Sequence, residues 1–351
     1  MNLLAQDRVE TIPAAREAAR PLRLSLPSKG RLADESISFL EKCGLRVYKP
    51  NPRQYEASLP ALPELAVLFQ RPSDIVVSVR DGSVDFGITG LDLIAERQSE
   101  NGGLLVLHDE LSFGGCALTL AVPEDWTEVR MVPDLSHCAS RLGRPLRVAT
   151  RYPNLTGRFL TEWGVPHTLI GAEGTLETAP AIGYADLIAD LVSSGLTLRD
   201  NHLRSLPDGV IQLSQAALIS NRRSLKDRPH ALAIARYLLE YIEAHLRASE
   251  NVAVFANIRG ESPEAVGRRL FAQATIGGLQ GPTISHVLVR DNDPNWYDVH
   301  IIVRRDQLFQ AVTELRQIGG SGVVVTPITY IFDEEPPRYK ALLEVINQAE
   351  K

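Results

Sequence analysis

Short apolar runs and amphipathic stretches alternate along most of this chain. LRLSLP at residues 22–27 has the texture of a buried strand, SKGRLADESISFLEKCG carries its apolar positions at helical spacing, and DIVVSVRDGSVDFGITG returns to strands. Strands this short and this apolar are the kind that helices cover on both faces of a sheet. The pattern therefore predicts an α/β lobe from residue 22 to about 115. CALTLAVP at 116–123 reads as a buried strand leaving that lobe. LRVATRYPNLTGRFLTEWGV restarts the strand and helix order, with Asn154 or Thr156 as the expected helix cap, and a second lobe runs over 116–203. IQLSQAALISN and a helix from Pro229 to Ala248 return the chain to the first lobe over 204–250. On that helix Ala231, Ala235, Leu238, Leu239, Ile242 and Leu246 share one face. Two lobes joined by crossing strands leave a cleft, the preferred place for a ligand.

The texture changes after residue 250. NVAVFANI, PEAVGRRLFAQ, TISHVLVR, WYDVHIIVR, DQLFQAVTELRQIG and GVVVTPITYIF follow one another as strand, helix, strand, strand, helix, strand. This βαββαβ order is the ferredoxin-like arrangement, so residues 251–351 are expected to form a separate domain closed by a terminal helix. That fold hosts many functions and names none of them.

Composition narrows the classes. A length of 351 residues exceeds what one hydrophobic core usually serves, and 44% hydrophobic with 23% charged residues is ordinary for a folded globular chain. A formal net charge of -6 argues against nucleic acid as the partner, so anionic ligands must meet local positive charge. No apolar run reaches the length of a membrane span, and residues 1–21 carry too many charges for a signal peptide. Cys43, Cys116 and Cys138 stand far apart without a pairing pattern, which fits a reducing cytoplasm. His108, His137, His167 and His202 have no acid at motif spacing and are expected to be structural or surface residues.

The chemistry concentrates between Glu173 and Asn201. The apolar run Ile188-Ala189-Asp190-Leu191-Val192 ends in an acid and passes at once into Ser193-Ser194-Gly195-Leu196-Thr197. Such a loop offers unobstructed backbone N–H groups and three hydroxyls to an anion, with a helix start behind it. A carboxylate just before it can accept hydrogen bonds from the two hydroxyls of a ribose ring. An acid beside a phosphate loop describes a ribose 5-phosphate site. The same spacing also serves as an ordinary turn, with Asp190 capping it. Lys29, Gly30 and Arg31 repeat the idea: two cations at a helix start after the first strand, suited to phosphate or simply a solvated basic turn.

The order Glu177, Gly183, Ala185, Ile188, Asp190, Leu191, Ser194, Gly195, Thr197, Leu198 resembles the signature of the ATP phosphoribosyltransferases. PSKGRL at 27–32, RPSDI at 71–75 and GSVDFGITGLDLI at 82–94 resemble that family's first-lobe motifs, and GGLQGPTIS at 277–285 the entry to the regulatory domain of its long form. The resemblance covers the chain from residue 22 onward. It implies a two-lobed catalytic region of the periplasmic-binding-protein type II fold with an ACT-like C-terminal domain. It also implies that ATP and phosphoribosyl pyrophosphate give phosphoribosyl-ATP and pyrophosphate with Mg2+, as the first step of histidine biosynthesis, with histidine as feedback inhibitor of a homo-oligomer, dimer to hexamer. Asp190, Ser193, Ser194, Gly195 and Thr197 would bind phosphoribosyl pyrophosphate, and Lys29, Gly30, Arg31, Arg71 and Asp92 would bind ATP. Glu177 would hold magnesium at the pyrophosphate end, or be a surface acid. Asn257, Leu279 and Thr283 would border the histidine site, with Asn257 standing where some relatives have an acid. Ser194 replaces a frequent threonine and Leu91 a common arginine. The competing readings are a two-lobed solute-binding protein, a phosphoribosyltransferase acting on a free base, and a regulatory subunit without catalysis.

Overall fold

The computed structural model describes residues 20–51, 53–97, 102–172, 174–289 and 295–348. Residues 1–19 of the expected extension and Glu173 lie outside them. The described chain divides into two units, one running to Tyr237 and resuming at Arg338, the other covering Leu238–Pro337.

The first unit holds two sheets. Its N-terminal part runs β1 (Leu22–Pro27), α1 (Arg31–Lys42), β2 (Glu56–Ser58), β3 (Leu65–Gln70), α2 (Pro72–Arg80), β4 (Phe86–Gly90), α3 (Leu91–Glu96) and β5 (Leu104–His108). The chain then crosses into β6 (Cys116–Pro123), α4 (Asp134–Leu142), β7 (Leu146–Thr150), α5 (Pro153–Glu162), β8 (His167–Gly171), α6 (Ala179–Ile182), β9 (Leu187–Val192), α7 (Leu196–Asp200) and β10 (Leu203–Ser214). It returns as β11 (Ala216–Asn221), followed by α8 (Arg222–Asp227) and α9 (Pro229–Ser249), whose residues from Leu238 onward belong to the second unit and not, as expected, to the first lobe. The first sheet has the order β2-β3-β1-β4-β11-β5 and the second β10-β6-β9-β7-β8. β1 pairs in parallel with both β3 and β4, which sets Leu24 opposite Val67 and Phe86. All three are fully buried, as central parallel strands require.

Register explains why the functional residues collect at one edge. β7 pairs in parallel with both β8 and β9, so the loops after all three leave the second sheet on one side. Ala117 sits opposite Val192 and Cys116 opposite Ser214, so the crossings between the sheets share that side. In the first sheet Ala216 lies opposite Gly90, so the second crossing arrives where β4 ends. Ligands of open α/β sheets bind outside the carboxyl ends of the strands, and here those ends from both sheets meet the crossing segments.

Two further expected boundaries are corrected. Residues 204–214 were assigned to the first lobe, but β10 is the edge strand of the second sheet, and the chain changes sheets at Gln215 alone. IQLSQAALISN reads as one strand because a single residue leaves no loop signal. The terminal helix α12 (Pro337–Gln348) was placed with the C-terminal domain, yet from Arg338 onward it belongs to the first unit, where Arg338 Nη1 lies 2.7 Å from Asp109 Oδ1.

The second unit contains β12 (Asn251–Arg259), α10 (Pro263–Phe271), β13 (Thr283–His286), β14 (Trp296–Arg304), α11 (Leu308–Gln317) and β15 (Ser321–Pro327). The antiparallel order β13-β14-β12-β15 is the expected ferredoxin-like sheet. Val254, Ile258, Val299 and Ile301 on its strands bury against Val266 and Leu270 of α10 and Leu315 of α11. The last strand stops at Pro327, short of the ITYIF segment, because proline cannot donate to the ladder. Among the described residues no helix is long and apolar enough to cross a membrane.

Candidate functional site

β9 delivers Asp190 to the carboxyl edge of the second sheet and then breaks into Ser193-Ser194-Gly195. Gly195 has a φ of 71°, a left-handed conformation that the absence of a Cβ makes easy, and this turn starts α7. Ser193, Ser194 and Thr197 are exposed at the loop, and the Ser194 hydroxyl accepts the Leu196 N–H at 3.4 Å. α7 has only five residues, so the hydroxyls and loop amides, rather than a helix field, are the donors the loop offers.

Asp190 itself is 6% exposed. Its Oδ1 accepts the Leu191 N–H at 2.8 Å, and Arg151 Nη2 donates to Oδ2 at 3.0 Å. Burial pushes its carboxyl above the usual range, against the opposing pull of Arg151 and the Leu191 amide, while the charge of Glu177 adds to the rise. Glu177 sits in the 3-10 turn Leu176–Thr178 after β8 and interacts with both Arg151 and Asp190. The structure thus brings Asp190, the loop and Glu177 together and adds Arg151, which sequence reading missed. Its place directly after β7 was the available signal.

The first sheet contributes less uniformly. Lys29 and Gly30 are exposed after β1, and Gly30 caps α1 with a φ of 77° and no side-chain bond to the helix amides. Arg31 reaches the crossing segment, its Nη2 lying 3.4 Å from the Gly115 carbonyl. Arg71 is exposed at the start of α2, and the Ser28 N–H donates to the Gln70 carbonyl at 2.8 Å, so the ends of β1 and β3 are adjacent. Asp92 differs from expectation. It is 3% exposed, and its carboxylate accepts the Tyr152 hydroxyl at 2.6 Å and the Ser214 hydroxyl at 2.5 Å. Those bonds tie α3 to the second sheet instead of offering the acid to a nucleotide. Burial, then the charge of Asp92, pushes the Tyr152 phenol upward, so it stays a donor. Leu91 packs against the apolar cluster of Ile75, Val76 and Val79.

A second tie comes from Glu96. Its Oε1 accepts the Asn154 N–H and its Oε2 the Leu155 N–H, each at 2.9 Å, so a first-lobe acid caps α5 where Asn154 or Thr156 was expected to do so. A carboxylate on two first-turn amides also opposes the positive end of the helix. Glu96→Ala should lower stability by about 1–2 kcal/mol in urea unfolding, the usual worth of a cap. An unchanged midpoint would mean that water replaces the carboxylate at no loss.

The histidines behave as expected. His108 is buried and, through burial first and then Arg338, its pKa falls to about 4, so it is neutral near pH 7. His167 pairs with the Val165 carbonyl at 2.8 Å, while His137 and His202 are exposed. In the second unit Asn257 lies on β12 and Thr283 on β13, both on the sheet face away from the helices: Asn257 opposes Asp298, and Thr283 opposes His300 on the same strand. Leu279 is half exposed in the turn before β13.

Comparison with known proteins gives a consistent match. A family model described as ATP phosphoribosyltransferase matches residues 71–244, and one described as HisG, C-terminal domain, matches 248–330. A protein of Arabidopsis thaliana, ATP phosphoribosyltransferase 1, chloroplastic, is 44% identical over 331 residues, covering 92% of this chain and 80% of its own length. An ATP phosphoribosyltransferase of Gemmatimonas aurantiaca is 35% identical, covering 88% of this chain and 98% of its own. Among solved structures, the ATP phosphoribosyl transferase (HisG:HisZ) complex from Thermotoga maritima aligns with a TM-score of 0.50 at 26% identity, over 63% of this chain and 98% of that one.

Proposed function

The chain belongs to the ATP phosphoribosyltransferase family, and on that premise we propose how its residues divide the work. The reaction joins ATP to phosphoribosyl pyrophosphate, giving phosphoribosyl-ATP and pyrophosphate in the first step of histidine biosynthesis. Asp190 is the observation that carries the assignment of the site. A buried carboxylate beside a hydroxyl-rich loop suits a ribose diol and its 5-phosphate, so Asp190 takes the two ribose hydroxyls and Ser193, Ser194, Gly195 and Thr197 take the phosphate. Lys29, Gly30, Arg31 and Arg71, at the ends of β1 and β3, take the ATP phosphates. Asp92 supports them by fixing the two lobes to each other.

Attack of adenine ring nitrogen 1 on the anomeric carbon builds positive charge on the ribose while negative charge gathers on pyrophosphate. Asp190, an anion held under the ring, stabilises the first, and positioning supplies much of the remaining acceleration. Mg2+ suits the donor set: it prefers oxygens and commonly uses one or two carboxylates plus substrate phosphates, and Glu177 supplies such a carboxylate beside Asp190. When bound, the ion neutralises phosphate charge on the leaving group.

The second unit is read as the histidine sensor, with Asn257, Leu279 and Thr283 bordering its ligand, in a homo-oligomer between dimer and hexamer. Inhibition then requires histidine to favour a less active state. The three free, separated cysteines suit a reducing compartment, and we place the chain in the cytoplasm. A magnesium-dependent assay with ATP and phosphoribosyl pyrophosphate, read by product absorbance, tests both parts. Product that declines as histidine is added is the expected result. No product from folded protein would move the solute-binding and regulatory readings forward, and product insensitive to histidine would remove the sensor role alone.

A further inference from the structure

Arg151 belongs to none of the segments that suggest ligand binding in the sequence, yet it is the side chain bonded to Asp190. It follows β7 directly, and its neighbour Tyr152 is the residue tied to Asp92 across the lobes. Nη2 donates to both Asp190 oxygens, at 3.0 and 3.3 Å, and the side chain keeps 49% of its surface exposed. A guanidinium carries five N–H donors in a rigid fork, and one nitrogen on Asp190 leaves the others directed elsewhere. Glu177, on the next loop of the same sheet edge, is the second acid with which Arg151 interacts. Two carboxylates facing a substrate with several phosphate charges would repel it, and Arg151, bonded to Asp190 and within reach of the charge of Glu177, is the cation that offsets them.

We infer that Arg151 is a further substrate-binding residue of this site, holding the Asp190 carboxylate with one nitrogen and taking oxygens of the departing pyrophosphate with the others. The inference rests on the reading of Asp190 and its loop as the phosphoribosyl pyrophosphate site. As the new bond forms between adenine nitrogen and anomeric carbon, the bond from that carbon to pyrophosphate oxygen breaks and its electron pair stays on the leaving group. Arg151 receives that charge in a bidentate geometry lysine lacks. It also opposes the effect of burial on Asp190. Burial raises that carboxyl and Arg151 draws it back, so removal of the guanidinium moves the acid toward its protonated form at a higher pH.

The experiment compares wild type, Arg151→Gln and Arg151→Lys as full-length chains. Four readings are taken: kcat/KM for phosphoribosyl pyrophosphate across pH, KM for ATP, inhibition by inorganic pyrophosphate, and calorimetric binding of magnesium pyrophosphate. In Arg151→Gln, kcat/KM for phosphoribosyl pyrophosphate should fall about ten- to hundredfold, the worth of a lost charged hydrogen bond. Pyrophosphate inhibition should weaken in parallel, the acid limb should move to higher pH, and KM for ATP should stay within about twofold; lysine should restore part of the loss. An unchanged pH profile and unchanged pyrophosphate affinity would overturn the inference. So would equal losses toward both substrates with a lowered melting temperature, the mark of a purely structural pair. A wild type without turnover would sink the functional reading instead, and the calorimetric arm would still decide whether Arg151 binds pyrophosphate.

Discussion

Asp190→Ala is expected to lower kcat/KM for phosphoribosyl pyrophosphate by about two to three orders of magnitude, roughly 3–4 kcal/mol of transition-state stabilisation. The acid is 6% exposed and fixed by the Leu191 N–H and Arg151, so it is aimed before any substrate arrives. Preorganised charge of this kind acts where water is excluded and needs no rearrangement at the moment of reaction. In the proposed role alanine removes the acceptor for both ribose hydroxyls and the charge set against the developing positive charge, so kcat and KM should both suffer. Asp190→Asn separates the two contributions, because it keeps an acceptor for one hydroxyl and loses the charge. A loss in Asn nearly as large as in Ala would assign the effect to charge. A mutant within tenfold of wild type, with KM for phosphoribosyl pyrophosphate unchanged, would remove Asp190 from the site.

The same acid costs the fold something. Burial raises the Asp190 pKa above its unfolded value, so the native chain binds more protons than the unfolded one between those two values. The stability contribution is therefore present at low pH and is lost as pH rises through the folded pKa. An acid held at such a cost to the fold is explained by its proposed ligand, not by packing.

What the sequence reveals about this site follows the distance over which each residue acts. Asp190, Ser193, Ser194, Gly195 and Thr197 lie on one strand and its loop, so their arrangement is a local pattern. Glu96 capping Asn154 and Leu155, and Asp92 gripping Tyr152 and Ser214, join residues 58 to 122 positions apart in the chain. No periodicity encodes such pairs, because each half is individually ordinary: an acid in a helix, a tyrosine before a proline. Arg151 falls between these cases. Its strand was legible, but its partner lies on a strand 39 residues on. β10 was misplaced for a related reason. Its buried residues, Leu203, Leu206, Gly209 and Ser214, follow no period of two, because the strand bulges twice against β6, and only that pairing says which sheet it belongs to.

Asp85→Ala should produce the largest loss of stability, about 3–5 kcal/mol, the usual result of removing one partner from a buried ion pair. Asp85 is fully buried just before β4. Its carboxylate receives Arg20 through both terminal nitrogens at 3.1 Å, Arg228 at 2.9 Å, the Arg23 N–H at 2.9 Å and the Ser224 hydroxyl. Two distant segments therefore converge on the acid in the turn into β4: the start of β1, and the joint between α8 and α9. Alanine strands two guanidinium groups whose side chains are less than one-fifth exposed. With an unfolding entropy of about 2.1 cal/mol/K per residue over 351 residues, the melting temperature should fall by roughly 4–7 °C. Asp81→Ala is the control, since Asp81 pairs with its neighbour Arg80 at a side-chain exposure of 56% and should change stability by less than about 0.5 kcal/mol. A melting temperature for Asp85→Ala within about 2 °C of wild type would show that water can enter and satisfy the arginines. Measured well below its melting temperature, the variant should turn over at nearly the wild-type rate. Asp85 stands at the amino end of β4, away from the carboxyl ends of the strands where the proposed ligand-binding residues collect.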